Sequence, residues 1–219
     1  MSSRETKPRL ADLRKSYDKG TLDLHHVKDN PLQFFQTWFY EAKEADGIDE
    51  ANAMSLTTLG DDGFPRARVV LLKDFSEEGF VFFTNYNSEK GKSLLKHPKV
   101  GLSFYWPNLE RQIIIKGEAE KLSENKSDQY FDSRPRGSQL GAHVSPQSKV
   151  IPDRKFLEDL QSSLEKKFEK TEIPRPDHWG GILVRPREIE FWQGRPNRLH
   201  DRISCYLDGI DWKVKRLAP

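Results

Sequence analysis

The stretch Ala53-Met54-Ser55-Leu56-Thr57-Thr58-Leu59-Gly60-Asp61-Asp62-Gly63-Phe64-Pro65-Arg66-Ala67-Arg68-Val69-Val70-Leu71-Leu72-Lys73 decides the fold. A helical period precedes it, and from Ala53 the spacing becomes that of strands. Residues 53–59 form one strand, Gly60-Asp61-Asp62-Gly63 supplies a turn, and residues 66–73 form the next. Successive side chains on a strand point to opposite faces. Arg68, Val70 and Leu72 therefore share one face, while Val69, Leu71 and Lys73 share the other. The two cations either hold one anion on each side of the sheet, or form two parts of a composite site, or snorkel from the flanks of a core strand.

Upstream, Asp29 or Asn30 can cap a helix that has Pro31 in its first turn and Leu32, Phe35, Phe39 and Ala42 at helical spacing. Residues 1–28 are polar and weakly periodic. They read as a mobile segment ahead of a single domain, 29–219. Downstream, strands are predicted at 80–84, 100–105, 111–122, 180–184, 188–192, 204–207 and 212–216. Helices are predicted at 88–97, with Ser88 as cap, at 123–133 and at 153–170, where Phe156, Leu160, Leu164 and Phe168 make a narrow stripe. Many short strands with helices around them predict an α+β fold that is mainly β, an antiparallel barrel with peripheral helices. No GxGxxG follows a strand, which argues against a Rossmann sheet.

Composition narrows the function classes. The 219 residues include 36 basic and 34 acidic ones, a net charge of +2 without the clustered excess of a nucleic-acid binder. Only 35% are hydrophobic against 32% charged, a thin apolar supply that leans toward a homodimer burying aromatic surface between two copies. Cys205 is the single cysteine, so no intrachain disulfide can form and a reducing compartment is favoured. Beside Tyr206 on a strand, it reads as core. The first thirty residues lack an apolar signal region, and no apolar run approaches the ~20 residues of a membrane helix. A cytoplasmic protein with no membrane or nucleic-acid partner is expected.

Three further segments carry charge in patterns that chemistry could use. Tyr130 and Arg134 are four apart, on one face of a helix end, and Ser138 follows in what reads as a loop. A phenol, a guanidinium and a hydroxyl that converge make a phosphate clamp. The alternative is a helix C-terminus decorated with arginines. Arg198, His200 and Arg202 alternate along a potential strand beside Trp192 and Gly194, and so project to one face. They either bind anions and stack on aromatic rings, or defend a sheet edge with charge. Gln112, Gln147 and Ser148 offer neutral hydrogen-bonding groups. His25-His26 reads as exposed, and no HxxxH, CxxC or acidic triad supports a metal site. No GxSxG elbow is present.

These segments together resemble the pyridoxine/pyridoxamine 5'-phosphate oxidases from about Leu13 to Pro219. The resemblance rests on Ile189-Glu190-Phe191-Trp192-Gln193-Gly194 running to Arg198-Leu199-His200-Asp201-Arg202, the terminal Arg216-Leu217-Ala218-Pro219, Arg68 to Lys73, Ser133-Arg134-Pro135-Arg136 and Trp179-Gly180-Gly181. It implies an FMN-binding split barrel that is homodimeric, with two FMN sites at the subunit interface. By the family's pattern Arg68, Val69, Val70, Leu71, Leu72, Lys73, Phe83, Thr84, Lys90, Gln112, Gln147, Ser148, Trp192 and Arg202 would contact FMN. Lys73, Tyr130, Arg134 and Ser138 would hold the substrate phosphate. Arg198 and His200 would lie against the pyridine ring as the catalytic pair, and Arg14 and Tyr17 would help cover the substrate. The implied reaction in vitamin B6 metabolism converts pyridoxamine 5'-phosphate or pyridoxine 5'-phosphate to pyridoxal 5'-phosphate. Hydride passes from C4' to FMN, O2 reoxidises the flavin with release of hydrogen peroxide, and ammonia leaves from the amine.

One departure stands out. The family commonly has Ser-Arg-Lys where this chain has Ser88-Glu89-Lys90, so either Glu89 swings to solvent or FMN binds more weakly. Phe83, where some relatives have Tyr, is a milder change. Two other functions compete. A split-barrel FMN reductase would not need Tyr130, Arg134, Ser138, Arg198 and His200 together. A non-catalytic carrier of pyridoxal 5'-phosphate would purify colourless rather than yellow.

Overall fold

A computed structural model describes residues 9–27 and 30–219. Asp29 lies outside the described residues. Asn30 caps α1 (Pro31–Glu44), its side-chain oxygen accepting from Leu32 N at 2.9 Å. The helix buries Leu32, Phe35, Trp38 and Ala42. Phe35 meets Phe75, Phe80 and Phe104 edge-on, with ring centres 5.1, 4.9 and 5.3 Å away, which locks α1 onto the sheet. The core also reaches upstream of position 29, because Leu22 and Val27 are buried in it.

The strands are β1 (Ala53–Leu59), β2 (Pro65–Leu71), β3 (Asp74–Ser76), β4 (Gly79–Asn85), β5 (Lys99–Trp106), β6 (Arg111–Lys121), β7 (Trp179–Gln193), β8 (Asp201–Asp208) and β9 (Asp211–Leu217). All pair antiparallel in the order β2-β1-β5-β6-β7-β4-β3, with β8 between β7 and β9. The helices α2 (Glu89–Lys96), α3 (Glu124–Asp132), α4 (Arg136–Val144) and α5 (Arg154–Lys167) lie in the connections.

The two strands predicted at 180–184 and 188–192 are one continuous strand. Residues 182–193 of β7 run along β6, but the strand's other edge is shared. Residues 179–184 pair with β4, and residues 188–193 pair with β8. Pro186 sits where β4 has ended and β8 has not begun, at a position where a missing N–H costs no ladder bond. Opposite it the β6 register slips between Lys116 and Gly117. A Cβ on Gly117 would come within 2.6 Å of Arg185 O, so the close approach requires glycine. This branching of one strand between two partners opens the sheet into a split antiparallel barrel.

Other boundaries also moved. β2 stops at Leu71, which leaves Lys73 in the link to β3. β3 is three residues long, too short to show a period. α4 begins inside the segment around Ser138 that reads as a loop, because Pro135 and Gly137 mask the helix start that Leu140, Ala142 and Val144 complete by burial. The α5 stripe is only half engaged, with Phe168 buried and Phe156 40% exposed. Cys205 is fully buried, and burial pushes its thiol up to about 12. Among the described residues no helix is long and apolar enough to cross a membrane.

Candidate active site

Arg68 projects from β2 and donates to Thr58 Oγ1 at 2.7 Å and Leu56 O at 3.3 Å. Lys90, in the first turn of α2, donates to Gln147 Oε1 at 2.9 Å. Ser88 caps that helix, and Ser148 Oγ accepts from Glu89 N at 3.2 Å, so the loop carrying Gln147 and Ser148 is tied to the start of α2. Neither Arg68 nor Lys90 has a carboxylate partner among the described residues. Burial holds both below their usual ranges, aided at Arg68 by the Arg66 charge and at Lys90 by the Arg68 charge. Two partly desolvated cations facing each other are suited to an anion. On β4, the buried Thr84 hydroxyl has no hydrogen-bond partner among the described residues.

Lys73 lies in a second place. With Phe83, Tyr130 and Gln129 it lines a cleft of about 410 Å³. The Phe83 and Tyr130 rings stack at 3.8 Å, and both run nearly parallel to Trp179. The Arg134 guanidinium packs over Trp179 at 4.4 Å. Its Nη1 is buried without a hydrogen-bond partner among the described residues, and burial lowers its affinity for its proton. Tyr130 and Arg134 do not share a helical face, since α3 ends at Asp132 and Arg134 falls in the turn before α4. Ser138 is in the first turn of α4, not in a loop. That helix has no side-chain cap, and the Ser138 and Gln139 amides donate to Pro135 O at 2.8 and 3.1 Å, which leaves Arg136 N and Gly137 N as its uncapped first N–H groups.

The expected strand alternation of Arg198, His200 and Arg202 is absent. Arg198 closes a short 3-10 turn, Pro196–Arg198, with Asn197 and Arg198 both in the left-handed region (φ 57° and 63°). β8 starts only at Asp201, and the Pro196 turn prevents an earlier strand. Arg202 faces Glu190 instead, donating at 2.8 and 3.1 Å, and to Ala218 O at 2.8 Å. Arg198 and His200 line a third cavity of about 560 Å³ together with Arg14 and Tyr17. Tyr17 meets Trp192 and His200 edge-on, at 5.8 and 5.7 Å. His200 Nδ1 accepts from Arg195 N at 3.1 Å, so the neutral ring carries its proton on Nε2.

The predicted site residues thus fall into three groups in one chain: Arg68 with Lys90, Gln147 and Ser148; Lys73 with Phe83 and Tyr130, next to Arg134; and Arg14 with Tyr17, Trp192, Arg198 and His200. Lys73 and Arg198 line different cavities. Gln112 donates to Ser103 Oγ at 3.2 Å. Val69 is 68% exposed, Val70 and Leu71 are partly covered, and Leu72 turns into the core. Sequence reasoning missed Trp179 as the ring beneath Arg134, Glu190 as the partner of Arg202, and Glu110, treated below. None of them has a spacing signal, because each partner comes from a distant segment.

Comparison with known proteins gives two family matches: residues 40–160 match the family described as pyridoxamine 5'-phosphate oxidase, and residues 179–219 match the pyridoxine 5'-phosphate oxidase C-terminal dimerisation region. A pyridoxine/pyridoxamine 5'-phosphate oxidase of Flavobacterium johnsoniae is 56% identical over 211 residues, 95% of this chain and 98% of that protein. The Synechocystis protein of the same name is 52% identical, over 96% of this chain and 98% of its own. Among solved structures, PhzG from Burkholderia lata, in complex with tetrahydrophenazine-1-carboxylic acid, aligns at a TM-score of 0.85 and 29% identity, covering 94% of this chain and all of that one. A pyridoxamine 5'-phosphate oxidase-related FMN-binding protein from Nostoc punctiforme shares the fold at a TM-score of 0.70 and 15% identity, over 88% of this chain and all of its own.

Proposed function

The chain belongs to the pyridoxine/pyridoxamine 5'-phosphate oxidase family, and on that premise we propose how its separate groups of residues form one active site. It is an FMN-dependent oxidoreductase that forms pyridoxal 5'-phosphate from pyridoxamine or pyridoxine 5'-phosphate, and it carries the family's dimerisation region and is homodimeric.

Arg68, Lys90, Gln147 and Ser148 would hold the FMN phosphate, with the unpartnered Thr84 hydroxyl as a further donor. The fit is favourable, because an anion there relieves the repulsion between two half-buried cations. Bound FMN supplies the two-electron acceptor, with O2 as the proposed terminal oxidant. Lys73, Tyr130, Arg134 and Ser138 would grip the substrate phosphate, with the uncapped start of α4 adding backbone N–H groups. Arg198 lays a guanidinium plane against the pyridine ring, and His200 presents its Nε2–H as a donor rather than a base. No side chain need act as a strong base, because the substrate amine can enter neutral. Orientation of C4' is then the main contribution of the protein, and alignment of this kind can be worth several kcal/mol.

The observation that carries this reading is the division itself. Phosphate-gripping and ring-facing residues occupy different cavities of one chain, while Phe64 and Val69, 70% and 68% exposed, leave apolar surface beside β2 uncovered. Pairing of two copies would set the Lys73 cleft of one protomer against Arg198 of the partner subunit. Mixing two inactive dimers, Arg134→Ala and Arg198→Ala, and allowing subunits to exchange tests this. Heterodimers would then hold one intact site in two, and the mixture should regain about a quarter of native activity, measured as aldehyde and peroxide together. No recovery would mean that each site is built from one chain.

A further inference from the structure

Glu110 stands in the turn between β5 and β6 and is completely buried. Its backbone is left-handed (φ 56°), a cost for a residue other than glycine. Neither feature suits an ordinary turn glutamate, which would leave its charge in water. The side chain is occupied instead by the N-terminal segment. Oε2 accepts from Asp18 N at 2.8 Å and from Lys19 N at 3.0 Å, and Lys15 Nζ lies 3.1 Å from Oε1. Lys19 Nζ donates to the neighbouring Asn108 O at 2.7 Å. On its main-chain side, Glu110 O accepts from Gly194 N at 2.7 Å and from Gln193 Nε2 at 3.2 Å, which fixes the turn to the end of β7. Burial alone would raise the carboxyl, yet the Lys19 N–H, the Lys15 ammonium and the Asp18 N–H together keep it below the usual range.

Tyr17 sits between these contacts. A Cβ on Gly194 would come within 2.8 Å of Tyr17 Cγ, so the ring rests directly on the glycine backbone. From there it reaches Trp192 and His200. The backbone N–H groups held by Glu110 are the next two after Tyr17. Losing the carboxylate would free the segment at the place where the ring is aimed.

We propose that Glu110 is a positioning residue for substrate binding, a clasp that holds the Lys15–Lys19 segment so that Tyr17 stands over the Trp192–His200 wall. The proposal rests on the reading that Arg14 and Tyr17 cover the substrate. Glu110 touches neither substrate nor FMN. It acts through the placement of Tyr17.

The test uses FMN-loaded enzyme carrying Glu110→Ala, Glu110→Gln, Tyr17→Ala, or Glu110→Ala with Tyr17→Ala. Glu110→Ala should raise KM for pyridoxamine 5'-phosphate by about tenfold, keep kcat within about twofold and leave FMN affinity unchanged. Hydrogen exchange at the Asp18 and Lys19 amides should accelerate in the same variant. Added to Tyr17→Ala, it should cost nothing further, since both act on one contact. Glu110→Gln keeps an acceptor for the two amides and should give an intermediate KM. It carries the test if the alanine variant does not fold. An unchanged KM with faster exchange, additive effects of the two substitutions, or loss of FMN in step with KM would each overturn the clasp. If Tyr17→Ala itself leaves KM unaltered, the covering role of the segment fails, and the proposal falls through its premise rather than through Glu110.

Discussion

Glu89 and Arg66 form an ion pair that joins the first turn of α2 to the start of β2, each side chain about half exposed. The carboxylate that replaces the family's arginine therefore does not simply swing to solvent. Its charge is met by a cation from the neighbouring strand, and it remains in the helix turn where negative charge is favoured. Because an exposed pair is worth about 0–1 kcal/mol, Glu89→Arg should tighten FMN by no more than about fivefold. Arg66→Ala, which leaves Glu89 unopposed near Lys90, should weaken FMN by up to about fivefold. Fluorescence titration of apo-protein measures both. A large gain from Glu89→Arg would restore the weak-binding expectation.

Arg134 couples function to a cost in stability. Its buried, unpartnered Nη1 awaits an anion, so the ligand-free protein carries an unpaired polar group. Arg134→Met keeps the packing on Trp179 and removes that group. The melting temperature of the ligand-free protein should rise by about 2–4 °C, for about 1 kcal/mol in a chain of this size, while KM for the phosphorylated substrate rises about a hundredfold. Calorimetry and steady-state kinetics on one preparation decide it. A fall in melting temperature would show that Nη1 is satisfied in solution.

Arg198 lines the cavity with Tyr17 and His200, away from the Arg68 and Lys90 cluster. Arg198→Ala should lower kcat by about a hundredfold through lost alignment and leave FMN affinity within about twofold. Flavin stripped from the protein, with the reconstituted rate unchanged, would show the assignment to be wrong.

Cys205 gives a pH dependence. Burial sets its thiol at about 12 in the folded chain against 9.0 in the open one. Raised in the fold, the group favours the native state at pH below about 9, and this contribution fades as the pH climbs toward 12. A thiol reagent at pH 8 should therefore label Cys205 only at the rate of unfolding, and Cys205→Ala should flatten the alkaline decline in denaturation midpoint. Rapid labelling of the native protein would contradict the burial.

Much of this was legible in the chain. The period-2 pattern from Ala53 placed β1 to the residue, Ser88 declared the start of α2, and Asn30-Pro31 declared that of α1. Those signals are local, since caps and alternation depend on residues within a turn or two of each other. That Arg68 and Lys73 serve different places was also suggested, although Lys73 lies past the end of β2 rather than on its opposite face.

What only the tertiary structure decided is which of them meet. β7 is one strand because two different partners share its edge, a fact that Pro186 disguises as a break. Arg202 was expected beside Arg198 but spends its charge on Glu190, whereas Arg198 joins Tyr17 across some 180 residues of chain. Glu110 gave no sign at all, because a buried carboxylate is defined by the distant N–H groups that compensate it. Local signals follow from backbone geometry and are written in adjacent residues. Electrostatic pairing depends on distance in space, and that distance exists only after the sheet has closed.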